Sequence, residues 1–234
     1  YLVVRRRNTM NNVIDTLSML PYIIPGAVVG IALVITFNRG PLVLTGTAAI
    51  MIIALIIRRL PYTIRSSVAI LQQIMARPEI YMHGPEHHVM VGAALLTAYR
   101  NSGGEVDFDT ALPEMLRRGK QVPGGVCGFW GCCGAGVSAG IFISIVTKAT
   151  PLHREEWGLA NQMTARALQA IGSLGGPRCC KRDSFTAVKE AVLFTEEHLQ
   201  IKMELPDKII CGFSKFNEQC KKQDCPYFAD RSLE

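Results

Sequence analysis

The chain has 234 residues, 49% of them hydrophobic, and a formal net charge of +6. The charge is unevenly placed: residues 1–74 hold seven Arg, no Lys and the single acid Asp15, whereas residues 75–234 hold eighteen basic and eighteen acidic residues. A basic excess confined to the flanks of apolar runs belongs to a membrane-facing segment, which excludes nucleic acid as the partner that explains it.

In chain order, Thr16 to Asn38 are twenty-three residues without a charge, and Gly40 to Ile57 are eighteen more. A helix rises about 1.5 Å per residue, so roughly twenty apolar residues cross a hydrocarbon core of about 30 Å. The pattern predicts two transmembrane helices joined by a tight loop at Asn38-Arg39-Gly40-Pro41. The alternative is a pair of helices buried in a soluble core. Arg5, Arg6 and Arg7 before the pair, and Arg58, Arg59 and Arg65 after it, place both ends on the cytoplasmic side of the inner (plasma) membrane. Pro21, Pro25, Gly26 and Gly30 mark faces that suit close helix neighbours. The chain begins at Tyr1 rather than Met, which reads as a fragment or a processed piece.

Leu17–Asn38, then Gly40-Pro41-Leu42-Val43-Leu44-Thr45-Gly46-Thr47, Arg58-Arg59-Leu60-Pro61-Tyr62, Arg65-Ser66-Ser67 and Leu71-Gln72-Gln73-Ile74 carry a resemblance. Residues 1–74 resemble the permease subunit of iron(III)-type ABC importers. The resemblance implies the lipid bilayer, other permease helices and a separate ATPase subunit as partners. In that family a coupling helix with a Glu-Ala-Ala signature comes next. Here Met75-Ala76-Arg77-Pro78 follows instead, so the resemblance implies a truncated segment without transport activity of its own.

Met75 reads like an internal start, and a second domain is expected over residues 75–234. His83-Gly84-Pro85-Glu86-His87-His88 precedes an apolar helix from Val89 to Tyr99. Its imidazoles suit either metal binding or acid/base work, with Glu86 beside them, so His87, His88 and Glu86 are candidate catalytic residues. Asp109–Arg118 is predicted as an amphipathic helix with Leu112, Met115 and Leu116 inward. The stretch from Val122 to Gly136 is rich in glycine and holds Cys127, Cys132 and Cys133. It leads into an apolar helix, Val137–Thr147. Glu155–Ile171 is predicted as a helix packing through Trp157, Ala160, Met163, Ala167 and Ile171.

A second Gly-rich turn, Gly175-Gly176-Pro177-Arg178, carries the vicinal pair Cys179-Cys180 into another helix, with Phe185, Val188, Val192 and Leu199 inward. Gly131, Gly134, Gly136, Gly175, Gly176 and Arg178 are candidates to hold a cofactor, because glycine lets backbone N–H groups approach a ligand. The tail adds Cys211, Cys220 and Cys225, with eight and then four residues between them. Helix N-termini and nearby cations favour thiolates, so low thiol pKa values are expected. Eight Cys in a domain on the cytoplasmic side point to ligands rather than disulfides. An iron–sulfur cluster is expected, with zinc as the alternative, and Cys132, Cys179, Cys220 and Cys225 are the favoured ligands.

The His83–His88, Cys127–Ala135 and Gly175–Phe185 motifs with the three-Cys tail resemble an uncharacterised family of Cys-rich domains from anaerobic bacteria and methanogenic archaea, over residues 79–228. Cys132–Ile145 is also similar to the cluster-binding segments of iron–sulfur-dependent serine dehydratases. The expected fold is mainly α: a two-helix transmembrane hairpin followed by a Cys-rich, mostly helical soluble domain.

Overall fold

The computed structural model describes residues 26–38, 45–52 and 66–229. The chain divides into two compact units, Tyr1–Arg65 and Ser66–Glu234.

In the first unit, α1 runs Gly26–Phe37 over 12 residues, a length of about 18 Å at the usual rise. Residues 48–52 are also helical. The Phe37 carbonyl at the end of α1 accepts from Thr45 Oγ1 at 2.9 Å. Among the described residues no helix is long and apolar enough to cross a membrane. The two expected spans therefore appear only as these shorter pieces, and their remainders, residues 16–25, 39–44 and 53–57, lie outside the described residues. Ile31, Ile35, Met51 and Ile52 are exposed.

The second unit is helical throughout: α2 Ser67–Met75, α3 His87–Asn101, α4 Phe108–Gly119, the single turn α5 Cys127–Trp130, α6 Gly134–Val146, α7 Arg154–Leu174 and α8 Cys180–Leu199. Short 3-10 turns lie at Ser214–Phe216 and Lys222–Asp224. Among the described residues extended pairing is limited to one isolated bridge, Cys211 to Phe228.

Ser66 starts α2, its hydroxyl accepting from the Ala69 amide at 3.2 Å, as an N-cap serine does. Val68, Leu71 and Met75 follow at helical spacing and are all buried. The helix packs against α3 and α8. The boundary expected at Met75 thus falls at the far end of an element that belongs to the Cys-rich unit. Nothing in residues 66–74 breaks a helix, and its buried residues pack on α3 and α8 of that unit.

The first two turns of α8 are wholly enclosed, from Lys181 to Val188, because α2, α3, α6 and α7 all pack on that helix. The α6 helix approaches α7 through its glycines. A Cβ on Gly140 would collide with Thr164 and lie 3.0 Å from the Ala160 carbonyl, and one on Gly136 would lie 2.8 Å from Leu168. Two inward expectations fail at helix edges. Leu116 is exposed, because α4 turns Ala111, Met115 and Gly119 inward. Trp157 is exposed, because the buried stripe of α7 centres on Met163 and Ala167.

Candidate functional site

Two cavities meet at the start of α8, and the vicinal cysteines divide between them. The first is lined by His87, His88, Cys127, Cys133, Arg178, Cys180 and Asp183, with Gly84, Pro123, Gly125, Gly134 and Ala135. The second is lined by Cys179, Cys211, Cys220 and Cys225 with Met82, Arg182, Ser214, Asn217, Tyr227 and Phe228. Cys179 has φ −146° and ψ 101°, an extended backbone at the N-cap of α8. Successive side chains on extended backbone point to opposite sides, which sends Cys179 one way and Cys180 the other.

The second cavity is closed by the tail. The Cys211 amide donates to the Tyr227 carbonyl at 2.6 Å, and the Tyr227 hydroxyl pairs with Thr186 Oγ1 at 3.0 Å. Gln72 on α2 donates to the Ile210 carbonyl at 2.9 Å. Lys221 Nζ donates to the Leu174 carbonyl at the end of α7 at 2.7 Å, where a cation suits the helix terminus. These ties bring three tail cysteines to one at a helix start.

Three of the four sulfurs accept from backbone amides: Cys179 from Arg182 at 3.5 Å, Cys211 from Phe213 at 3.4 Å and Cys220 from Lys222 at 3.4 Å. Asn217 Nδ2 adds a donor to Cys179 at 3.6 Å. All eight cysteines are free. Among the described residues no group of three or more His, Cys, Asp or Glu is gathered tightly enough to hold a metal ion as it stands. The four thiols share a wall rather than a single point.

Burial decides the electrostatics. It pushes the Cys133 thiol up to about 12, with the Asp183 carboxylate adding to the effect. It pushes Cys211 up to about 11 despite the Phe213 amide, and raises Cys179 and Cys180 as well. The low-pKa thiols expected from helix N-termini are therefore not found at these four positions: desolvation outweighs the dipole. Two cations are buried beside the sulfurs. Lys181 is 1% exposed, its ammonium 3.5 Å from the Met75 carbonyl and 4.9 Å over the Phe213 ring. Burial pushes its pKa down. Arg182 pairs with Asp183 at 3.1 Å and donates to the Gly175 and Pro177 carbonyls at 2.9 and 3.0 Å.

In the first cavity, burial and then the Lys181 ammonium push the His87 imidazole down to about 3. His88 lines the same cavity. Glu86 lines neither; its Oε2 is buried without a partner and folds back over Gly84.

Of the candidate glycines, Gly134 lines the first cavity. A Cβ there would invade the His88 ring. Gly136 serves the α6–α7 contact instead. Gly131 and Gly175 have positive φ, 64° and 67°, and end α5 and α7. Those two and Gly176 line neither cavity, and neither does Cys132. Arg178 lines the first. Lys181 was expected from sequence only as a cation near the thiols, and Asp183, Asn217 and Tyr227 were not singled out: Asp183 sits in the first turn of α8 and the other two in the tail near its cysteines.

A family of unknown function (DUF5714) matches residues 58–228. A candidate ferric transport system permease protein (FbpB 1) of Haemophilus influenzae is 38% identical over 74 residues, covering 32% of this chain and 12% of that relative. The ferric transport system permease protein FbpB of Actinobacillus pleuropneumoniae is 36% identical over 74 residues, covering 32% and 11%. The chain thus spans about a tenth of the length of the curated relatives it matches. No solved structure matches the chain.

Proposed function

The chain belongs to the DUF5714 family of unknown function, and we propose that its Ser66–Glu234 unit is a thiolate metal-binding domain carried on a permease-like membrane segment. The metal is an iron–sulfur cluster held by Cys179, Cys211, Cys220 and Cys225. The observation that carries this reading is the convergence of these four cysteines on one cavity wall, with backbone amides aimed at three of the sulfurs. Four thiolates are the usual complement of a cluster. The set replaces Cys132 with Cys211 among the ligands favoured by sequence.

The charge balance supports it. Buried Lys181 has a carbonyl and a ring face as its partners, and a buried cation without an anion is costly. Thiolates at Cys180, Cys179 and Cys211, in that order of influence on Lys181, would supply the anion. To hold a metal the sulfurs would have to come inward from the shared wall, because they are not gathered tightly enough as they stand. A bound cluster supplies electron transfer or Lewis acidity, and the chain's own part is to orient the thiolates, donate amide hydrogens to them and exclude water with Tyr227 and Phe228. Zinc on the same four sulfurs gives a structural module; the closure of the tail around the site favours this second reading.

Anaerobic purification with iron, sulfide and zinc analysis tests the domain. Brown protein carrying iron and sulfide is expected, and C220S/C225S should lose both. Colourless protein carrying zinc that C220S/C225S loses supports the structural module. Metal content unchanged in C220S/C225S overturns the four-thiol site.

The membrane half of the proposal rests on the permease relatives, the exposed apolar side chains of Ile35 and Met51, and the flanking arginines. Residues 1–65 sit in the inner membrane, with the Cys-rich unit on the cytoplasmic side. A cysteine placed at Gly40 should react with an impermeant maleimide from outside the cell, and one placed at Arg5 should not. The reverse pattern inverts the topology.

A further inference from the structure

The four-thiol site leaves the first cavity unused, and its walls carry a different donor set: two imidazoles, three thiols and the Asp183 carboxylate. The His87 side chain is 1% exposed. Its Nδ1 lies 3.1 Å from the Gly84 carbonyl. A carbonyl oxygen only accepts, so Nδ1 carries the proton and Nε2 carries the lone pair. That Nε2 is buried with no hydrogen-bond partner. An imidazole fixed by a carbonyl on one nitrogen and bare on the other is in the form that binds metal.

The surrounding potential suits anionic ligands. His87 begins α3, Cys133 is the N-cap of α6 and Cys180 begins α8, so three helix N-termini open on one cavity. The first-turn amides of α3 already pair with the Gly84, Pro85 and Glu86 carbonyls, so it is the positive ends of the helix dipoles, with the uncapped start of α6, that favour negative charge on the sulfurs.

We infer that this cavity is a second metal site, separate from the four-thiol site, which takes one zinc-class divalent ion through Nε2 of His87 and the thiolates of Cys127, Cys133 and Cys180; the four line one cavity but are not gathered tightly enough to hold an ion as they stand, so binding has to draw them together. A donor set of three sulfurs and one nitrogen selects a borderline-soft ion and disfavours magnesium or calcium. On binding, each S–H gives its proton to solvent and its lone pair to the metal. The Cys133 proton has a carboxylate on its way out, Asp183 Oδ2 at 3.8 Å. Three thiolates against a divalent ion leave one net negative charge, which faces the helix N-termini and Arg178. None of these four ligands belongs to the four-thiol site, so the two sites stand or fall separately.

The test uses the full chain in detergent, purified anaerobically, stripped of metal and titrated with Co2+. In the C211S/C220S background, where the four-thiol site is removed, the chain should still bind one Co2+ with a thiolate charge-transfer band and intense visible bands of tetrahedral cobalt. Adding H87Q should weaken that binding at least ~10-fold and alter the visible bands, in line with the sensitivity of metal sites to their ligands and supports. Where H87Q fails to fold by circular dichroism, C127S reads the same loss, since no residue of α5 is buried. A folded C211S/C220S chain that binds no cobalt overturns the inference, and so does an H87Q or C127S chain with unchanged affinity and spectrum. Unchanged iron and sulfide in C211S/C220S would instead count against the four-thiol site and leave this one standing.

Discussion

A chain beginning at Met75 should fail to fold, whereas one spanning residues 66–229 should unfold cooperatively on heating. The difference is α2. Starting at Met75 deletes Val68 and Leu71, 2% and 0% exposed, and leaves Met75, 2% exposed, without a helix to hold it. Fully burying one such side chain contributes about 1.5–3 kcal/mol, so the loss is on the order of 4–9 kcal/mol. Domains of this size are stable by only about 5–15 kcal/mol. The truncation also removes the Gln72 bond to the Ile210 carbonyl, which anchors the strand of chain leading into the tail. It further uncovers α8, whose enclosed first turns carry Cys180 and the buried cations. Thermal melts by circular dichroism distinguish the two chains. Equal midpoints would mean that α2 is dispensable and that the unit starts at Met75 after all.

The helical elements of the second unit were legible because their apolar spacing is regular. Asp107 and Ser66 cap helices as their residue types favour, though neither was picked out beforehand, and Gly103, at φ 92°, follows the end of α3 within the Asn101-Ser102-Gly103-Gly104 stretch. The start of the unit was not legible. Residues 66–74 read as the end of a permease-like segment, and only packing reveals that Leu71 belongs to the α2–α3–α8 core. Edge residues failed for a related reason. Periodicity gives a helix face, but the partner's position decides how wide that face is, so Leu116 and Trp157 stay exposed beside buried Met115 and Met163.

The candidate site was legible as a set of residues and illegible as a partition. The cysteines, His87, His88 and Arg178 all stand out in sequence, yet adjacency suggested that vicinal cysteines share one site. Extended backbone at Cys179 splits Cys179 from Cys180 instead. At Cys133, Cys179 and Cys180 burial raises the thiols where the helix termini and nearby cations led to the opposite expectation, because those charges are visible in sequence and depth of burial is not. Both cavities nevertheless depend on one short stretch, Cys179 to Asp183. Cys179 and Arg182 face the second cavity, Cys180 and Asp183 face the first, and the Arg182–Asp183 pair spans them at 3.1 Å.

Removing metal from the four-thiol site should release the tail, and the effect should be large. Beyond its sulfurs, the segment from Ile209 to Phe228 is fastened by a modest set of contacts: the Gln72–Ile210 and Cys211–Tyr227 bonds, the Tyr227–Thr186 pair, the Phe185–Tyr227 ring contact at 5.5 Å, Lys181 over the Phe213 ring, and Lys221 on the end of α7. It contains no α-helix, only two short 3-10 turns. Three of the four proposed ligands lie in it, so metal binding closes loops that the chain otherwise holds weakly. Structural thiolate sites contribute on the order of 10 kcal/mol to folding, more than these contacts together. Chelation should therefore expose the tail to limited proteolysis near Lys215, Lys221 and Lys222 while helices α2 to α8 keep their circular dichroism. The metal should also bind more weakly as pH falls. Cys179 and Cys211 are held above the ordinary thiol range by burial, so both must give up a proton on binding, and affinity should drop by at least ~100-fold per pH unit below neutrality. Protection of the tail that is identical with and without metal, or an affinity flat between pH 6 and 8, would show that the tail is held by its own contacts and that the four sulfurs are not the ligands.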